Sequence, residues 1–143
     1  MPDTVWAYGY DPATGAIAGR RVFARVEEGG QDGGPDGAAV DRDGFDWCAV
    51  SGGGRLLRFD PHGRLERRVA MPVQYPTMPA LGGEMLDTVF VTSASWPLSE
   101  EDRRRRPEQG GLFAFPAPVP GLPATRVHGP AVSVTSHPPP SAR

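Results

Sequence analysis

Apolar positions in this chain fall in short runs, each ended by a turn-forming residue, and none is long enough for a typical helix. Val5 to Tyr10, Arg21 to Arg25, Ala38 to Val40, Trp47 to Val50, Arg55 to Phe59, Leu65 to Ala70, Thr88 to Thr92 and Leu112 to Phe115 are the principal ones. Short apolar runs bounded by Gly, Pro and Asp predict strands. Between two of them, Asp43-Gly44 predicts a type I′ hairpin, in which both central residues take positive φ. His62-Gly63 and Thr14-Gly15 occupy similar places, so the predicted local unit is the antiparallel hairpin.

Residues 93–109 depart from this pattern and predict one short helix. Ser99 stands at its N-cap and Asp102 at the capping-box position. Glu100, Glu101 and Asp102 fill the first turn and Arg103 to Arg106 follow, the charge order that the helix macrodipole favours. Pro107 then ends the helix. From Gly129 to Arg143 Ser, Pro and His predominate without periodicity, and a disordered tail is expected over 129–143.

The hairpins repeat. Tyr10-Asp11-Pro12 with Gly15 and Phe59-Asp60-Pro61 with Gly63 are the same aromatic-Asp-Pro turn, 49 residues apart. A second series runs from Pro35 through Trp47 to Val50, Gly53-Gly54 and Phe59, and returns as Pro76, Val89 to Thr92, Gly110-Gly111 and Phe115. Its offset grows from 41 residues at Pro76 to 56 at Phe115, which puts the helical insertion inside the second copy. All-β repeats of roughly 40–50 residues have the size of propeller blades, each a four-stranded sheet. The expected fold is all-β, a partial β-propeller of about two and a half blades over residues 1–128, with one short helix in the insertion. Closed rings have roughly 4–8 blades, so such an arc leaves strand edges and blade faces open to association.

Composition alters this picture little. The 19 Gly and 17 Pro residues are about a quarter of the 143, near the range of low-complexity sequence, yet most of them punctuate the strands. A formal net charge of −2 gives no general attraction to nucleic acid or to an anionic membrane surface. Cys48 is the single cysteine, so no intrachain disulfide can form. No apolar stretch approaches the roughly 20 residues of a membrane span, and the first residues lack a signal-peptide pattern. A soluble, cytoplasmic chain is the expectation.

Candidate chemistry starts at Gly34-Pro35-Asp36-Gly37, a carboxylate on a loop that Pro rigidifies on one side and Gly frees on the other. By itself Pro-Asp-Gly is also an ordinary turn. Its setting is more informative. Tyr10-Asp11-Pro12-Ala13-Thr14-Gly15, Pro35-Asp36-Gly37, Val40-Asp41 with Gly44, Trp47, Gly52-Gly53-Gly54-Arg55, Arg58-Phe59-Asp60-Pro61 with Gly63, Pro76-Thr77 and Val91-Thr92-Ser93-Ala94 keep a characteristic order and spacing. In these residues the chain resembles the senescence-marker-protein-30/gluconolactonase family, which includes luciferin-regenerating-enzyme-like proteins, and it resembles only that family's C-terminal half. The resemblance implies a six-bladed propeller that opens small-molecule sugar lactones with water, using a divalent metal cation, calcium first and zinc or another divalent ion next. By motif match Asp36 would be both a metal ligand and the base for the attacking water. The chemistry is coherent, since a bound cation polarises a carbonyl while a carboxylate accepts the proton.

The departures bear on this. The family's other metal ligands, a Glu and an Asn, and the Arg and Asn residues that help hold substrate belong to the half that precedes the resembling segment. A lone Asp offers at most about two oxygens, against the roughly six to eight that calcium takes. Met78-Pro79 stands where relatives carry small or sulfhydryl residues after Pro-Thr.

Other polar clusters have plainer readings. Asp41, Asp43 and Asp46 suit a hairpin turn better than a calcium loop, because Gly44 falls at the fourth position rather than the sixth. Arg103 to Arg106 are offset by the adjoining acids. His62, His128 and His137 are too far apart to suggest a metal site. Cys48, mid-strand beside Trp47, reads as a buried thiol, and Trp6, Trp47 and Trp96 as packing between blades. Two functions follow: a metal-dependent lactone hydrolase with Asp36 as its one site residue here, or a non-catalytic propeller fragment that binds or scaffolds, or the remnant of a split gene.

Overall fold

The computed structural model describes residues 3–26 and 33–124. Within them nine strands form three antiparallel sheets. Strands β1 (Thr4–Tyr10) and β2 (Ile17–Arg25) make the first sheet. The second is β3 (Gly34–Val40), β4 (Asp46–Ser51), β5 (Arg55–Phe59) and β6 (Leu65–Ala70), paired in chain order. The third is β7 (Pro76–Gly82), β8 (Thr88–Ser93) and β9 (Leu112–Pro116). The one helix among the described residues, α1 (Glu100–Arg105), lies between β8 and β9, where the insertion predicted it. Ser99 Oγ accepts the Asp102 N–H at 3.1 Å and donates to the Asp102 carboxylate at 2.7 Å, closing the predicted cap. The nearly all-β character with one short helix is therefore as expected, while the tail expected over 129–143 lies outside the described residues, as do His128 and His137. No helix among the described residues is long and apolar enough to cross a membrane.

Three local expectations are corrected. The turns are not type I′, because Leu86 is the only non-Gly described residue with positive φ, so Asp43, His62 and Thr14 are excluded from that conformation. Instead Asp41 N–H donates to Phe45 O at 2.9 Å and Gly44 N–H to Asp41 O at 3.0 Å, which leaves a three-residue loop closed by a left-handed Gly44. The Asp41 and Asp60 carboxylates each accept two backbone N–H groups of their own turn, so the side chain supplies what a primed turn would otherwise provide. Strand β7 escapes a pattern search because Pro76 and Pro79 interrupt it. It pairs on one side only, with β8, and an edge strand tolerates residues that cannot donate to a ladder. The Trp residues divide. Trp47 is fully buried, whereas Trp6 is half exposed beneath the Arg20 guanidinium, 4.7 Å away, and Trp96 stands 81% exposed before α1.

Every residue of β5 after Arg55 and every residue of β4 before Ser51 is buried, because the second sheet is covered on both faces. On one face Cys48, Val50, Leu57 and Phe59 meet Ala24 and Val26 from the end of the first sheet, with the Phe23 and Phe59 rings edge to face at 6.4 Å. On the other, Trp47, Ala49 and Leu56 meet Val89 and Val91 of the third sheet, and Trp47 packs on Phe115 at 6.0 Å. Alternate residues of β4 thus face two different neighbours, which explains a strand without the polar alternation of a half-buried sheet. The Asp41 carboxylate closes the far end of this core. It is fully buried and accepts from Trp47 Nε1 at 3.2 Å and Arg58 Nε at 3.0 Å, while the Arg58 guanidinium lies 3.9 Å above the Phe45 ring. Asp41 is therefore spent on structure.

Candidate active site

Strands β3 and β7 lead off the second and third sheets and run against each other. Each carries a Pro in its first two residues, Pro35 and Pro76, and bulges just after it. In β3, Pro35 faces Val50 and Ala38 faces Cys48, so Asp36 and Gly37 together oppose Ala49. In β7, Pro76 faces Ser93 and Met78 faces Thr92, which makes Thr77 the extra residue. Asp36 therefore sits in a bulged edge strand, not on the free loop that the sequence suggested. A bulge re-aims the side chain it carries, and Asp36 is exposed there. The repeat offset of 41 residues carries Asp36 onto Thr77, whose Oγ1 lies 2.8 Å from Thr92 Oγ1. A hydroxyl pair on β7 and β8 thus stands where the neighbouring sheet has a carboxylate.

Gly37 sets the distance between the two strands. A Cβ on it would lie 2.6 Å from Thr77 O and 2.9 Å from Met78 Cα, and would strike Met78 Sδ. Only a residue without a side chain lets β3 pass this close to β7. Met78, the departure noted in the sequence, is thereby placed against the backbone next to Asp36.

The neighbouring Cys48 thiol is inert. Burial, the Asp46 carboxylate and the Asp36 carboxylate push the Cys48 thiol up to about 12 against a smaller opposing hydrogen bond from the Asp36 backbone. A thiol so held is no nucleophile near neutral pH. Asp46, across the ladder from Val40 and on the Cys48 face of β4, is pushed up to about 6 by burial alone, and its Oδ2 is buried without a hydrogen-bond partner. The sequence offered no signal for that.

Among the described residues no group of three or more His, Cys, Asp or Glu side chains could hold a metal ion. Asp36 is a single carboxylate, and with roughly six to eight oxygens required by calcium, the described residues alone do not fit the cation that the family resemblance implies. What they make is an exposed acid at the junction of two edge strands, with a hydroxyl pair on the adjoining sheet.

Repeated antiparallel sheets, with an exposed acid on the bulged edge strand of one beside the edge strand of the next, describe the class to which the chain compares. The sequence model described as SMP-30/Gluconolactonase/LRE-like region matches residues 1–95, and the chain belongs to that family. The 6-deoxy-6-sulfogluconolactonase of Pseudomonas putida is 37% identical over 130 residues, which are 84% of this chain and 45% of that protein. The L-arabinolactonase of Azospirillum brasilense is 40% identical over 115 residues, 80% of this chain and 37% of that protein. A crystal structure of regucalcin from Agrobacterium tumefaciens, described as a calcium-binding protein, superposes with a TM-score of 0.74 at 30% identity, over 84% of this chain and 40% of that one. The chain thus spans less than half the length of the relatives it matches.

Proposed function

We propose that this chain carries one part of a sugar-lactone-hydrolysing site, with Asp36 as the general base, in an arc of a β-propeller that further blades complete. The observation that carries the reading is the exposed Asp36 on its bulge, beside the first strand of the next sheet. The lactonase names of two relatives and the calcium-binding description of a third support it. In this reading the three sheets are a half blade, a full blade and a blade short of one strand. The carboxylate of Asp36 takes a proton from water as the water oxygen adds to the lactone carbonyl carbon. The ring C–O bond then breaks, the proton passes to the departing ring oxygen, and an open hydroxy acid is left. A divalent cation belongs to the same proposal, with Asp36 as its ligand from this chain and the remaining ligands supplied from outside it. The small lactone is the proposed partner and the cytoplasm the proposed setting.

The isolation of Asp36 among the described residues favours one rival, a fragment that binds without catalysis. The test is Asp36→Asn in an assembly of this chain with the part of L-arabinolactonase that the match leaves uncovered. Lactone hydrolysis, followed by acid release above the spontaneous rate, is expected to fall by about 100-fold or more, within the usual range for a lost general base. Undiminished turnover would remove Asp36 from the mechanism.

A further inference from the structure

A polar groove of about 470 Å³ opens between the second and third sheets, a volume within the range of small-molecule sites. Its walls are the glycine turn 52–54 that joins β4 to β5, the segment 71–74 that leads into β7, and residues 106–109 after α1. The turn lies at the Asp36 end of the sheet, since Ser51 pairs with Gly34 at the start of β3. Gly33 packs directly on Gly53, where a Cβ would come within 2.6 Å of the Gly53 nitrogen. One backbone contact therefore separates the groove from the strand that carries Asp36.

Gln109 is only 8% exposed, and its Oε1 accepts the Gln74 N–H at 3.2 Å. A backbone N–H can only donate, so the amide cannot be turned over and its Nε2 faces away from Gln74. Gln109 lines the groove, and no acceptor among the described residues meets that Nε2. An amide donor that opens into a groove with no protein acceptor is free to take a ligand oxygen. Arg106 stands on the rim and, unlike Arg104 and Arg105, makes no ion pair among the described residues. Glu108 adds an acceptor beside it, and Met71 and Val73 give an apolar wall.

We propose that this groove binds a sugar acid, its carboxylate on Arg106 and its hydroxyls on Gln109 Nε2 and Glu108. One cation among mixed donors and acceptors suits a polyhydroxy monoanion better than a bare anion, which Glu108 would repel. The choice of a sugar acid rests on the lactonase reading, because ring opening yields one; the groove and its unmet donor do not.

Calorimetric titration of the chain with gluconate, with glucose and inorganic phosphate as comparison probes, tests this. Gluconate is expected to bind more tightly than either. Arg106→Ala is expected to weaken it about tenfold, the effect of one charge-assisted hydrogen bond. Gln109→Glu, which keeps an acceptor for Gln74 but replaces the outward donor with a charged carboxylate oxygen, is expected to weaken it at least as much. No saturable gluconate binding, unchanged binding in both groove variants, or phosphate bound as tightly would overturn the proposal. Gluconate binding lost in the variants, together with no lactone hydrolysis by the completed assembly, would sink the lactonase reading and leave the groove standing.

Discussion

Asp41 and Asp46 occupy one hairpin and meet opposite fates. Asp41 is surrounded by donors, two backbone N–H groups, the Trp47 indole and the Arg58 guanidinium, so its charge is neutralised where it is buried. Asp46 has burial without a donor on Oδ2, and its acid strength falls accordingly, from the ordinary 3.8 to about 6. In the sequence the two are alike, because what separates them is Arg58, on another strand. The pH dependence follows in sign. Below about pH 4 Asp46 is protonated in both states and carries no charge-burial cost. As pH rises, the unfolded chain releases the proton first, so stability falls between about pH 4 and pH 6 and levels off above. The rise from 3.8 to about 6 corresponds to a loss on the order of 3 kcal/mol. Asp46→Leu is expected to remove this slope and to raise stability above about pH 6, as read by thermal unfolding across pH. Equal slopes in the two proteins would mean that Asp46 finds a partner in solution.

At the scale of elements, hairpins, the capped helix and the repeat were all legible, because turn residues, the Ser99 cap and the Tyr10 and Phe59 motifs are local signals. Strand β7 was not, since two prolines hide it and only its place beside β3 and β8 makes it a strand. The same limit turned Asp36 from a strand residue into an expected loop residue. Gly37 shows what the sequence does contain without displaying it: a requirement for close approach that belongs to the partner strand. Gly37→Ala is expected to destabilise the chain by about 1–3 kcal/mol, the usual cost of overpacking against atoms that cannot yield. Gly9→Ala is the matched control, since its Cβ would meet nothing closer than Ala18 O at 3.5 Å. Equal melting temperatures for the two variants would show that β3 and β7 are not held as close as the structure has them.

At the scale of the molecule, the three sheets differ in a telling way. Among the described residues the middle one has four strands and both faces covered, whereas the first has two and the third three. Trp6, Tyr8, Tyr10 and Ile17 of the first sheet and Leu112 of the third are exposed apolar residues open to a neighbour. Family membership was legible from turn motifs spread along the chain. The described residues add no ligand group beside Asp36 to the one carboxylate that the resemblance singled out. The most direct measurement is the rate of gluconolactone hydrolysis by this chain alone and by its mixture with the uncovered portion of L-arabinolactonase, each corrected for the spontaneous reaction. Background hydrolysis is expected from either piece alone and catalysis only from the mixture with divalent cation present; full-rate hydrolysis by the isolated chain would overturn the proposed split site.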